Sequence, residues 1–349
     1  MNNEYLKLVH EALNKKIELA QNNAKQLKKL YEDVAEDLLK KASKSKGFNK
    51  AWLNDYSKVV QNRLRELENN IYELNEDALK TSSQIAAAVQ ATFFEYLEDK
   101  FELDIPKELY KSIYSIPEDI VLKLISGNLY KDGKGLASRI WSSTNKMGQD
   151  INFILAKGIA EQKSYLEMIK DLEKYVDPAA KKPWNWKTVY PGVNKQVDYN
   201  AQRLMRTGIN HSFYLSSMES NKRNPYVESV HWELSGQHYE RQVKRFGRDE
   251  CDDYVEQNKY NLGQGNFPKD EVPIPHVQCL CTQYGVITKS MEEIGKELGD
   301  WIAGGNNPML DEWYTTNGKN NAFSKLAVSK EENSGIIKAI LKEGGIINE

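Results

Sequence analysis

Apolar residues recur at intervals of three and four from Leu6 onward, through Val9, Leu13, Ile17, Ala20, Ala24, Leu27, Tyr31, Val34 and Leu38. A mean step of about 3.6 residues is the α-helical period, so this stripe predicts one long amphipathic helix. Ser43-Lys44-Ser45-Lys46-Gly47 interrupts it. A second stripe follows at Leu53, Tyr56, Val60, Leu64, Leu67, Ile71 and Leu74. Together they predict an antiparallel helical hairpin with a coiled-coil-like seam. Pro106, Pro117 and the turn Asp132-Gly133-Lys134-Gly135 punctuate what comes next. A helical region then opens at Leu136 and runs, with breaks, to Tyr175, where Val176-Asp177-Pro178 stops it.

Residues 178–197 hold Pro178, Pro183, Trp184, Trp186 and Pro191 and read as a linker, its tryptophans serving as packing anchors. A further helix is predicted from Asp198 to about Ser220. Val227–Leu234 has the β-branched and aromatic content of a strand. Residues 235–281 are loop-rich, Tyr284–Ile287 reads as a closing strand, and Ser290–Ala303 as a helix. The fold expected is mainly α with a small α+β C-terminal module. Its regions are a helical N-terminal part (1–177), a linker (178–197), a Cys/His module (198–290) and a C-terminal helical tail (291–349).

Charge narrows the classes. Lys+Arg number 48 and Asp+Glu 50, a net charge of −2, so no global positive field gathers nucleic acid. Residues 1–50 carry 11 lysines against 7 acids, whereas residues 51–100 carry 5 basic residues against 9 acids. Opposite signs on neighbouring helices favour their pairing over DNA. The most apolar stretch, Ile85–Leu97, is broken by Gln90, Thr92 and Glu95, which argues against a membrane span. The N-terminus lacks a basic start and an apolar core, so synthesis and retention in the cytoplasm are expected.

The three cysteines (251, 279, 281) and five histidines (10, 211, 231, 238, 276) are unevenly placed: six of them fall between His231 and Cys281. An odd cysteine count in a reducing compartment argues against a disulfide framework. His238, Cys251, His276, Cys279 and Cys281 instead offer five thiolate or imidazole donors where a structural zinc takes four. Pro273 and Pro275 stiffen the approach to His276. A loop-rich stretch has little core of its own, a deficit that a bound metal remedies. A catalytic metal would need an open position and a base, for which Glu250, Asp252 and Asp253 are all near and none is singled out. Cys251 or Cys281 with His238 or His276 also makes a conceivable nucleophile pair. His211, following Asn210 on a helix, reads as a satisfied core histidine. Gly263-Gln-Gly265 lacks the context of a phosphate loop, and no hydrolase elbow, zincin or kinase motif occurs.

Four pieces of the chain, in order, carry a likeness. They are Gly135-Leu-Ala-Ser-Arg-Ile-Trp141 with Ile151–Lys163 and Asp171–Pro178; Tyr199–Thr207 leading to Asn210-His211; Val230-His-Trp-Glu-Leu-Ser235 with His238 and Glu250-Cys-Asp252; and Leu262-Gly-Gln-Gly265, Phe267-Pro268 and Pro273-Ile-Pro-His-Val-Gln-Cys-Leu-Cys281. Over about residues 120–290 the sequence resembles the bacteriophage minor head, or head-morphogenesis, proteins of the Mu F-like type. That family's ending reads Pro-His-Pro-x-Cys-x-Cys. Here Val277 stands for the second proline, and Tyr254 stands where many members have a further cysteine, which makes His238 one candidate to complete the site and leaves open which four of the five donors bind.

The resemblance implies a virion component near the portal, made in the host bacterial cytoplasm. Its implied work is structural, in head assembly and in DNA packaging or ejection. Its implied partners are portal and capsid proteins, with packaged DNA as an open candidate and no membrane. The first expectation is therefore a non-enzymatic assembly protein whose structural zinc pins the C-terminal module. The competing expectation is an enzyme, either a metal-dependent hydrolase or nuclease or an ADP-ribosyltransferase-like toxin. A third is a helical adaptor without metal.

Overall fold

The structure is a computed structural model that describes residues 2–43, 50–106, 118–128, 130–160, 167, 171, 199–277 and 279–317. The two stripes become helices α1 (Asn3–Ser43) and α2 (Lys50–Phe101). At a rise of 1.5 Å per residue these are about 61 and 78 Å long. Helix α2 continues well past Leu74, where its stripe ends. Every side chain from residue 85 to 94 is buried. A helix covered on all sides carries apolar or small residues at every phase, and so shows no periodic signal. The apolar stretch at Ile85–Leu97 is therefore core, and no helix among the described residues is long and apolar enough to cross a membrane.

Helices α3 (Glu118–Ser126), α4 (Leu136–Ala160) and α5 (Tyr199–Arg223) follow. Then come strand β1 (Ser229–Glu233), a π-helical turn (Tyr239–Val243) running into the single turn α6 (Lys244–Phe246), and α7 (Glu250–Glu256). Strands β2 (Asn266–Phe267) and β3 (Thr282–Val286) precede α8 (Met291–Ile302) and α9 (Pro308–Asn317). The three strands form one antiparallel sheet in the order β2-β1-β3, with Val230 opposite both Phe267 and Gly285. The architecture is mainly α with a small α+β module, as the sequence predicted. The expected linker at 178–197 and the tail from 318 onward lie outside the described residues, as does most of the break at 43–47.

Two compact units divide the chain by packing and cut across the sequential regions drawn from the sequence. One comprises residues 20–78 and 124–206, the other 1–19, 79–123 and 207–349. In the first, Leu27, Tyr31 and Leu38 of α1 are buried, as are Val60, Leu64, Leu67 and Ile71 of α2 and Ile140, Met147 and Ile151 of α4. The Tyr56 hydroxyl donates to the Leu38 carbonyl at 2.9 Å, and Arg63 bridges to Asp37 at 2.7 Å. These contacts set α2 antiparallel to α1.

The second unit carries the larger core. Tyr5, Leu8 and Val9 meet Phe93, Phe94 and Leu97, closed over by Ile294, Leu298 and Trp313. Phe94 stacks on Trp313 at 5.4 Å, and the Trp313 indole donates to the Arg223 carbonyl at 2.6 Å. Between α2 and α5 the contact is polar: Ser82 and Ser212 hydroxyls donate to the carbonyls of Ile209 and Leu79 at 2.7 and 2.6 Å, and Ser83 pairs with Ser216. Small hydroxyl residues let the backbones approach while satisfying carbonyls that no water reaches.

A candidate metal centre

The second unit brings the sequence-predicted donors together from four places in the chain. His238 arrives by the turn that follows β1, its backbone N–H donating to the Ser235 carbonyl at 2.8 Å. Cys251 sits in the first turn of α7. That helix begins with a capping box: the Asp249 carboxylate accepts from the Cys251 N–H at 2.9 Å, and the Asp252 carboxylate accepts from the Asp249 N–H at 2.9 Å. His276 comes from the strap 272–277, which α5 holds down: Tyr214 donates its hydroxyl to the Val272 carbonyl at 2.6 Å, and His211 Nε2 donates to the Pro275 carbonyl at 2.8 Å. His211 is thus the satisfied core histidine expected. Cys279 and Cys281 complete the set.

Neither of these last two cysteines lies on a strand, because β3 begins only at Thr282. The Cys279 N–H closes a turn on the His276 carbonyl at 3.1 Å, and the Cys281 N–H points at the Cys279 sulfur at 3.3 Å. This turn, and not strand pleating, sends both sulfurs to the same side. A backbone N–H directed at sulfur favours its thiolate form.

The thiols are all but inaccessible, Cys251 being 0%, Cys279 2% and Cys281 1% exposed. Cys251 Sγ lies 3.6 Å from Cys279 Sγ, and Cys281 Sγ lies 3.7 Å from His238 Nδ1. One nitrogen of His276 falls within 4.8 Å of the Cys251 and Cys279 sulfurs. Tetrahedral zinc with Zn–S near 2.3 Å and Zn–N near 2.0–2.1 Å requires sulfurs about 3.8 Å apart and nitrogen about 3.6 Å from sulfur. The Cys251–Cys279 and Cys281–His238 pairs therefore stand at metal-ligand spacing, and the donor types fit a thiolate- and imidazole-bound ion. Cys281 and His238 are also the one Cys–His pair in direct contact among the described residues, and both are buried.

Two carboxylates that the sequence did not single out as a pair stand behind the histidines. His238 Nε2 lies 3.1 Å from Asp252 Oδ2 and 3.8 Å from Asp249 Oδ1, while His276 Nε2 lies 3.2 Å from Asp249 Oδ2. His238, Asp249 and Asp252 also form a group close enough to hold a cation. The only sequence signal for Asp249 was its place three residues before Asp252 at a helix start. Asp252 figured as one of three undistinguished acids.

The electrostatics follow from burial and contact. Desolvation works against a charged His238 ring, but Asp252, the Cys281 sulfur and Asp249 outweigh it and raise its pKa. Burial pushes the Asp252 carboxyl up, yet the Asp249 N–H and the His238 ring bring it below the ordinary value. Hydrogen bonds from Cys251 and Cys279 lower the Cys281 thiol, whereas hydrogen bonds with Cys279 and Cys281 raise that of Cys251. Lys16 of α1 is buried nearby, its ammonium 3.2 Å from Asn210 Oδ1 and 4.8 Å above the Phe213 ring. Burial pulls Lys16 down to about 8, opposed by the charges of Cys279 and Cys281.

An aromatic casing surrounds the sulfurs. Trp232 on β1 packs edge-on to Tyr254 at 4.7 Å, and Phe267 on β2 receives Tyr254 at 6.0 Å and Tyr260 at 5.9 Å. Tyr254 is thus a wall of this cluster. His231 lies outside the site, its Nδ1 2.7 Å from Asn266 Oδ1. Gly265 adopts φ +72°, and a side chain there would press on His231, so the turn that delivers β2 to β1 requires glycine. No protein-family model matches this chain, nor does any curated protein or solved structure.

Proposed function

We propose that this chain is a minor head protein of a bacteriophage, a portal-associated structural component that acts in head assembly and in DNA packaging or ejection. Zinc, held by four of His238, Cys251, His276, Cys279 and Cys281, pins its small C-terminal module. The observation that carries the reading is the convergence, on one buried cluster, of the third and fourth likeness-bearing pieces of the sequence, Val230–Asp252 and Leu262–Cys281. Three thiols and an imidazole close a tetrahedral ion without leaving a place for water, which is the pattern of a structural metal. Asp249 and Asp252, the carboxylates that touch the histidines, are already engaged by N–H groups and by those rings, which disfavours either as a base beside an open position. On this reading the long helices supply the surfaces that bind portal and capsid proteins, and the virion is where the protein resides.

Purified protein is expected to contain about one zinc per chain by elemental analysis. Cys279→Ser and Cys281→Ser should each release it and destabilise residues 230–285, leaving the unit of residues 20–78 and 124–206 folded. The functional half is checked by co-expression with the portal protein of the same phage genome, with which the chain should co-purify. Retained metal in both variants would remove the zinc site. A portal protein that never co-purifies, together with normal heads in the gene's absence, would remove the assembly role.

A further inference from the structure

Two histidines stand beside three thiols, and only one of them completes a tetrahedron. The carboxylates decide between them. Carboxylate oxygens only accept hydrogen bonds, so the contact of His238 Nε2 with Asp252 places the ring proton on Nε2. That leaves the Nδ1 lone pair aimed at the Cys281 sulfur, 3.7 Å away. His276 is held differently. Its Nε2 faces Asp249 at 3.2 Å and its Nδ1 faces the Val277 carbonyl at 3.0 Å. Each nitrogen already faces an oxygen partner, so either would have to leave that partner to bind an ion. Burial points the same way: the His238 side chain is 7% exposed and the His276 side chain 29%.

We propose that Asp252 is the positioning residue that makes His238 Nδ1 the fourth ligand beside Cys251, Cys279 and Cys281, while Asp249 holds His276 outside the coordination sphere. This rests on the zinc reading above and adds to it a ligand choice and the groups that enforce it. The same two aspartates form the capping box of α7, so the start of the Cys251-bearing helix and the orientation of both histidines depend on one pair of carboxylates. An outer carboxylate that fixes a ligating imidazole's tautomer contributes about 10–100-fold in metal affinity.

The test uses the full chain loaded with cobalt(II), whose visible bands report tetrahedral thiolate coordination, and with zinc. His238→Ala should alter the cobalt bands, and His276→Ala should leave them unchanged. Asp252→Asn keeps an oxygen for the Asp249 N–H but loses the charge. It should retain the tetrahedral spectrum while zinc affinity, measured by competition with a chromophoric chelator, falls about 10–100-fold. Asp253→Asn, an exposed neighbour, should match the wild type. In the unmutated zinc-loaded chain, long-range proton–nitrogen NMR should show one histidine protonated at Nε2 and metal-bound at Nδ1, a readout that does not depend on any variant folding. Bands that respond to His276→Ala and ignore His238→Ala overturn the ligand choice, and wild-type affinity in Asp252→Asn overturns the positioning role. A wild-type chain that binds neither zinc nor cobalt removes the zinc reading itself.

Discussion

His211 ties the strap that carries His276 to helix α5 through one imidazole N–H, and the tie has an acid limit. Burial lowers its pKa below the ordinary 6.5, against the pull of the Pro275 carbonyl and with added repulsion from His276. The unfolded chain therefore holds this proton more tightly than the folded one. Stability from His211 is complete above pH 6.5 and declines as pH falls from there through the folded value. His211→Gln can still donate to the carbonyl but does not titrate. Its denaturation midpoint should fall less between pH 7 and pH 5 than that of the wild type, and identical pH slopes would show that the ring contributes no linkage. Lys16 makes a second case at this scale. On the zinc reading, an ion held by three thiolates would leave one net negative charge in the interior, which the buried ammonium would offset. Lys16→Met should weaken zinc retention while leaving the metal-free protein at least as stable. Chelator competition and melting of the stripped protein read the two effects separately.

Elements differ in how openly the sequence declares them. Where a helix covers one face of a neighbour, as α1 does with Leu27, Tyr31 and Leu38, the stripe can be read directly. Residues 85–94 of α2 are buried all round, so that stretch of helix had no period to betray it. The two-residue β2 exists because Gly265 and Asn266 bring Phe267 to β1, a pairing made in space and marked in the sequence only by glycines. The five donors were legible as a cluster of types. Their partners were not, because Asp252 reaches His238 across 14 residues of chain and Asp249 reaches His276 across 27, with no fixed spacing to recognise. Close approach between α2 and α8 was equally silent. Gly295 faces Phe101, and a Cβ there would lie 2.4 Å from the ring. Alanine would gain about 1 kcal/mol of helix propensity. Overpacking costs about 1–3 kcal/mol, and at this distance the ring must move. Gly295→Ala is therefore expected to lower stability in a urea titration, and a stabilised variant would mean that Phe101 yields freely.

At the scale of the whole molecule, metal dependence should be confined to one part. The stretch from β1 to β3 has a three-stranded sheet, the π-helical turn with α6, the two-turn helix α7 and a small cluster around Trp232 and Phe267 as its own packing. Structural zinc supplies on the order of 10 kcal/mol to small metal modules, comparable with the whole stability of an ordinary domain. Removing it should open this stretch outright. The unit of residues 20–78 and 124–206 contains none of the five donors, and its helices bury their own apolar faces. Hydrogen exchange followed by mass spectrometry, with and without excess chelator, reads both regions in one experiment. Peptides within 229–286 should lose protection when the metal is stripped, most strongly those containing Trp232 and Cys251. Peptides within 56–78 and 136–154 should exchange at unchanged rates. Protection lost evenly along the chain would mean that the ion stabilises the molecule as one cooperative body, and protection kept within 229–286 would mean that the aromatic cluster holds the module without it.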